Sequence, residues 1–320
     1  MKRERLAYAV VIIGLLMTIF VALMSGVDFY SPAEVWGAVT GQNNTAFNTV
    51  MMFRLPRILA ALICGGMLSV AGAFSQSVFR NQLADPSILG MTSAGDFFIL
   101  IGGLLLPNFP FQKAILAVLG GVIVLHILAR PASIRQPLRL IIVGVALNLT
   151  FVGFQQVLTS GTVGLGGQSF NGITWQSTLT LLGVGTLGLI AALVVAPWAN
   201  YLKLGDQQLA GVGVPVTAMR WWLLALVIYL TCGVTAVIGT IPFMGIVIPN
   251  IGRRVVGHDY QTLIPFSMLS GAWLLLIADT VGRLVVLPSE LAAASIMTVI
   301  GGPFLVIMLQ RGAIHGIKAS

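Results

Sequence analysis

Apolar residues recur in runs of bilayer length from Leu6 to Leu309. Ten runs lie near Leu6–Met24, Ile58–Phe79, Ile88–Leu106, Ala114–Ala129, Leu138–Leu158, Thr178–Ala196, Met219–Val237, Ile238–Ile251, Leu263–Val281 and Leu291–Leu309. A bilayer core takes roughly 20 apolar helical residues per crossing, because lipid offers no partner to unpaired backbone polar groups. The runs therefore predict an all-α integral membrane protein, a polytopic bundle of about ten transmembrane helices. The eighth run is short and interrupted by Pro242 and Pro249. It predicts a bent or partial helix, which a bilayer tolerates where protein covers the freed backbone.

Composition agrees: 57% of the 320 residues are apolar and only 8% are charged. A soluble fold could not hide so much apolar surface beneath a charged exterior. The formal charge of +8 sits in short gaps between runs, which points to membrane topology and away from nucleic acid. With the N-terminus inside, cytoplasmic segments hold Lys2, Arg3, Arg5, Arg80, Arg130, Arg135, Arg139, Lys203, Arg220, Arg253, Arg254, Arg311 and Lys318. The outside holds Arg54, Arg57, Lys113 and Arg283, so the bias is thirteen to four and both termini are expected in the cytoplasm. Removing the eighth crossing would move Arg253 and Arg254 outside. The run behind Lys2-Arg3-Glu4-Arg5 is long and lacks a small-x-small cleavage site, so it reads as an anchor helix rather than a signal peptide. The longest polar stretch, about Gly26–Phe53, is too short for a folded module, so residues 1–320 are expected to form one transmembrane domain. Many of the 37 glycines fall inside runs, where small residues let helices approach closely.

Enzyme signatures are missing. No Gly-x-x-x-x-Gly-Lys-Ser/Thr loop is present, and the only lysines are Lys2, Lys113, Lys203 and Lys318. His126, His258 and His315 are scattered, and His126, inside a run, reads as a core histidine. Cys64 and Cys232 read as buried thiols without partners. No metal or cofactor site is expected.

Three polar segments separate the runs. The first is Arg54-Leu55-Pro56-Arg57, a Gly/Ala-rich helix to Gln76, then Arg80-Asn81-Gln82-Leu83-Ala84-Asp85-Pro86-Ser87-Ile88-Leu89-Gly90. The second runs from Leu204-Gly205-Asp206-Gln207-Gln208 through Gly211-Val212-Gly213-Val214 to Arg220. The third includes Gly245-Ile246-Val247-Ile248-Pro249-Asn250-Ile251-Gly252-Arg253, Ala278-Asp279-Thr280-Val281-Gly282-Arg283 and Gly301-Gly302-Pro303-Phe304. In this order, over about 270 residues, the segments resemble the FecCD family, permease subunits of ABC importers for iron–siderophore complexes, haem and vitamin B12. Gln82, Leu209 and Asn250 stand where the family usually has Pro, Ala and His. Asn250 cannot take a charge, which bears on any protonation role there.

The resemblance implies a type II ABC importer permease in a bacterial cytoplasmic membrane. Its partners would be separate ATPase subunits, an external substrate-binding protein and a second permease subunit. The cargo would be a ferric siderophore or haem, with vitamin B12 as the alternative. An ion-coupled secondary transporter or a lipid-modifying membrane enzyme would need ionisable residues at one depth, and Asp96, His126 and Asp279 are far apart in sequence. Arg54, Arg57 and Arg283, outside against the charge bias, have two readings: headgroup contact or capping, and docking of binding-protein glutamates. Arg suits docking because its fork pairs bidentately with carboxylates. The segment carrying Leu204, Gly205, Asp206, Gln208, Gly213 and Arg220 is either an ordinary connector or the ATPase coupling loop, with Asp206 placed to cap a short helix. Asp279 is one turn from Arg283, which predicts an intramembrane pair. Asn148, Gln155 and Gln156 lie on the run that resembles the family's pore-lining helix, and they serve either the path or interhelical hydrogen bonds.

Overall fold

The computed structural model describes residues 2–41, 46–107, 109–129, 137–159, 169–204, 209, 211, 215–286 and 289–316. Among these the chain forms eleven α-helices: α1 (Lys2–Met24), α2 (Pro32–Val39), α3 (Leu55–Val78), α4 (Met91–Leu105), α5 (Gln112–Leu128), α6 (Pro137–Thr159), α7 (Trp175–Tyr201), α8 (Val216–Ile238), α9 (Met244–Val255), α10 (Tyr260–Val285) and α11 (Ala293–Gly316). A π-helical turn, Thr49–Arg54, runs directly into α3. Seven helices are long and apolar enough to cross a bilayer, counting that turn with α3, while α4 and α5 are shorter apolar helices. Nine of the ten predicted runs each fall on one helix, and the eighth straddles the end of α8 and most of α9. Arg130, Arg135, Lys318 and, in the second polar segment, residues 205–208, 210 and 212–214 lie outside the described residues.

α2 was not expected. Ser31 accepts from the Glu34 amide, Glu34 accepts in return from the Ser31 amide at 2.7 Å, and Pro32 opens the first turn. This reciprocal cap satisfies two of the amides that a helix start leaves without partners.

α3 is the centre of the bundle, and α7, α8, α9 and α10 pack around it. Its small residues permit this. A Cβ added to Gly65 would strike the backbone of Gly271 on α10, and one added to Gly72 would strike Gly245 on α9. α4 and α5 pair and lean on α8, α6 lies outside α4, and α1 and α11 flank α10. Tyr8 meets Phe266 edge-on at 5.5 Å, and the Trp273 indole donates to Thr18 at 2.9 Å, fixing α1 to α10. Cys64 and Cys232 are buried free thiols.

The eighth crossing is broken. α8 ends at Gly239 (φ +85°), and α9 begins after Phe243 (φ +68°). α9 spans only about 18 Å at 1.5 Å per residue. The break is held by Asp96 on α4, which accepts from the Thr240 amide at 3.1 Å and its hydroxyl at 2.6 Å. Within α9, Pro249 has no N–H to give the Gly245 carbonyl one turn earlier. Gln76 of α3 supplies the missing donor at 2.7 Å. The close approach at Gly72 is what brings Gln76 within reach.

Candidate functional site

Charged side chains gather at opposite ends of α3. At the N-terminal end, Arg57 donates Nε to both carboxylate oxygens of Asp279 at 3.0 Å and Nη2 to Oδ1 at 2.8 Å. Its Nη1 reaches Glu290 at 2.7 Å. Arg283 lies 3.5 Å from Asp279 on the same helix, so the carboxylate serves both arginines and takes its shorter bonds from Arg57. Arg54 donates to the carbonyls of Leu23 and Asp28 at 2.6 and 2.5 Å, and stacks over Tyr30 at 4.8 Å.

All three arginines are buried. A guanidinium at the edge of a bilayer is costly unless paired, and the chain supplies those pairs itself. The pairing is incomplete at one point: Arg283 Nε and Nη2, in a side chain only 7% exposed, have no hydrogen-bond acceptor among the described residues. Around Arg283 the carboxylates of Asp279 and Glu290 stand against the guanidinium groups of Arg57 and Arg54.

At the C-terminal end, α3 stops at Val78, Phe79 caps it, and Arg80 adopts a left-handed backbone (φ +49°). Arg80 donates Nε to the Leu202 carbonyl at 3.0 Å and Nη2 to the Leu204 carbonyl at 2.7 Å. Ser77 donates to the Ala199 carbonyl at 3.0 Å. α3 thus supplies donors to the carbonyls that α7 leaves open at its C-terminus, and the Arg80 cation suits that end of the helix dipole. Lys203 donates to Asn200 and to the His258 carbonyl, and Asn200 donates to Asp259, the N-cap of α10. Burial lowers the Lys203 pKa, opposed by nearby Asp259.

Between α3 and α9, Gln76 accepts from Arg253, and Asn250 donates to the carbonyls of Gln82 at 3.1 Å and Ile246 at 2.8 Å. The amide at the family's usual histidine position therefore works as a hydrogen-bonding tie. Asp85, in the loop before α4, is fully buried beside the start of α9. Burial raises its pKa, opposed by the Ser87 amide and hydroxyl, which donate to Oδ1 at 2.7 and 2.6 Å.

Of the second segment, Leu204 is half exposed, Leu209 is buried, and Arg220 sits half-buried in the first turns of α8. Gly205, Asp206, Gln208 and Gly213 lie outside the described residues. On α6, Gln155 donates to the Ser93 carbonyl at 2.7 Å, while Asn148 is half-buried and Gln156 exposed. The exposed face of α6 is an apolar stripe of Leu138, Ile142, Leu149, Phe154 and Val157. His126 is exposed in the last turn of α5, not in the core as its apolar neighbours predicted. A basic side chain is favoured there by the helix dipole. No cluster of three His, Cys, Asp or Glu able to hold a metal occurs among the described residues.

The comparisons agree with this architecture. The "Probable heme-iron transport system permease protein IsdF" of Staphylococcus aureus strain MSSA476 is 32% identical over 310 residues, covering 96% of each chain. The same protein of strain Newman matches equally. A solved structure described as "An inward-facing conformation of a putative metal-chelate type ABC transporter" superposes with TM-score 0.80 at 25% identity, covering 96% of this chain and 99% of that one. "PsaBC from Streptococcus pneumoniae in complex with Fab" shares the fold, with TM-score 0.61 at 14% identity, covering 85% and 94%. The model of the FecCD transport family matches residues 14–311, nearly the whole length, and the chain belongs to that family.

Proposed function

We propose that this chain is the membrane-spanning permease subunit of an ABC importer for an iron chelate, haem or a ferric siderophore, with vitamin B12 as the alternative cargo. The observation that carries the reading is the family match over residues 14–311 in a chain with no P-loop of its own. ATP hydrolysis then belongs to a partner chain. The staphylococcal relatives, named for haem-iron transport, and the superposing metal-chelate transporter favour an iron chelate. Residues 1–320 act as one transmembrane domain in a bacterial cytoplasmic membrane, with both termini in the cytoplasm on the charge bias.

In this reading the end of the bundle with Arg57, Asp279 and Arg283 faces outward and receives the binding protein. The geometry favours a narrower docking site than three free arginines. Arg54 is committed to carbonyls, whereas Arg283 has open donors and Arg57 is held partly by Glu290, which sits at the surface. A carboxylate brought by the binding protein would reach the Glu290-held arm of Arg57 first, and would reach the open donors of Arg283 only once they are uncovered. The segment 204–220 faces the ATPase. The apolar stripe of α6, with Gln156 on it, faces a second permease subunit across the translocation path. Gln155 is taken up by α4, and a wide, weakly gripping path lets cargo leave again.

The test is uptake by cells lacking the gene, complemented with the wild type, using labelled haem, a ferric hydroxamate siderophore and cobalamin. Restored uptake of haem or siderophore supports the proposal. Restored uptake of none of the three refutes it.

A further inference from the structure

We propose that Arg80 is the positioning residue that fixes the entrance of the ATPase-contact segment and passes its movement into α3. The inference rests on the reading of residues 204–220 as that contact. The two residues ahead of the segment and its first residue are each held from another element. The Leu202 and Leu204 carbonyls accept from the two arms of Arg80, and Lys203 between them reaches Asn200 and the His258 carbonyl. Arg80 sits two residues past the end of α3, and its left-handed backbone turns the chain sharply there. An L-residue in that conformation carries strain that a plain turn would leave to glycine. Here the side chain spans two carbonyls, which glycine could not do.

The holding points lead to two rods. Arg80 continues into α3, whose other end carries Arg57. Lys203 and Asn200 lead to Asp259, which caps α10, whose other end carries Asp279 and Arg283. The two rods are in backbone contact at Gly65 and Gly271 and are joined at the N-terminal end of α3 by the Arg57–Asp279 pair. A displacement of Leu204 therefore pulls on a closely packed pair of helices spanning the bundle, instead of being absorbed in a loop. Chains of packed elements and hydrogen bonds of this kind carry coupling where the joined elements move together.

Two variants separate this role from simple stabilisation. Arg80→Gly removes both bonds while relieving the left-handed backbone, so assembly is expected to survive. Arg80→Lys keeps the charge but replaces the two-armed fork by one ammonium, which cannot span both carbonyls in the same geometry. In the isolated permease, hydrogen exchange at the amides of Leu202, Lys203 and Leu204 should quicken about tenfold in Arg80→Gly, with the middle of α7 unchanged, because two charge-assisted bonds are lost. In proteoliposomes with ATPase and binding protein, haem or ferric hydroxamate carried per ATP should fall about fivefold. Hydrolysis itself should stay near wild type, and Arg80→Lys should recover part of the loss. Unchanged exchange in Arg80→Gly overturns the inference in the permease alone. So does wild-type cargo per ATP, or transport and hydrolysis falling in step. A wild-type complex that hydrolyses ATP but moves neither cargo overturns the function reading instead.

Discussion

Gly72→Ala tests how tightly the broken crossing is built into the bundle. The added Cβ would fall inside the contact radius of Gly245 Cα and 2.6 Å from its carbonyl carbon. Ordinary carbon contacts are about 3.5–4.0 Å, so α3 and α9 must part by roughly 1.5 Å or the neighbouring backbone must shift by as much. Neither contact is the tip of a flexible side chain, and overpacking of this kind costs about 1–3 kcal/mol. The same shift withdraws Gln76 from the Gly245 carbonyl, the group that Pro249 leaves without its helical donor. An unsatisfied buried group costs a further 1–3 kcal/mol or so. The sum, about 2–6 kcal/mol, lowers the folded-to-unfolded ratio by at least roughly 30-fold. Thermal or denaturant unfolding of the detergent-solubilised protein reads this directly. Gly183→Ala is the control. It sits in α7 with nothing within 4 Å of an added Cβ, and should be neutral or stabilising by up to about 1 kcal/mol. If Gly72→Ala unfolds together with Gly183→Ala, the contact at Gly245 does not set the geometry of α9.

Asp279→Ala should destabilise by about 3–5 kcal/mol, because it leaves Arg57 and Arg283 buried without their shared carboxylate; a melting temperature near wild type would remove that role. Asp96→Ala should cost about 1–3 kcal/mol through the orphaned Thr240 amide and hydroxyl, with Asp96→Asn closer to wild type, both measured by unfolding. Charge reversal at Arg283 should weaken binding-protein affinity more than Arg54→Lys does, and equal affinities would remove Arg283 from docking. Asp85 has a raised pKa, so its contribution to stability is fully present below the unfolded value of about 4 and is lost as pH rises through the folded one. Wild type should therefore lose stability relative to Asp85→Asn between acid and neutral pH, and a constant difference across that range would refute the sign.

The crossings were legible because a bilayer forces the same requirement on every span, and ten long apolar runs have few other readings. α2 was equally legible in principle: Ser31-Pro32-Ala33-Glu34 carries a capping box, masked by the polarity of the stretch around it. The site was harder. Arg57 and Asp279 are 222 residues apart, so local spacing pointed to the neighbour one turn away and could not show the shorter bonds from α3. Gln76 as donor for a proline-orphaned carbonyl, and Arg80 as clamp on α7, depend on which helices meet. Pattern along a single chain does not encode that. Arg54, Arg57 and Arg283 were placed on the outer side by charge counting, but counting says nothing of burial.

The brevity of α9 bears on how the protein is made. Twelve residues with two arginines in the last turn are too short and too polar for a membrane-insertion machine to accept as a span on their own. The segment must enter as a passenger of α8 and α10, and its unpaired backbone has nowhere to go until Gln76, Asp85 and Asp96 are in place. Those three belong to earlier parts of the chain, already synthesised when α9 emerges. The order of synthesis therefore matches the order of need: the socket is made before the plug. A rearranged chain with α9 ahead of α3 would expose that backbone to lipid during assembly.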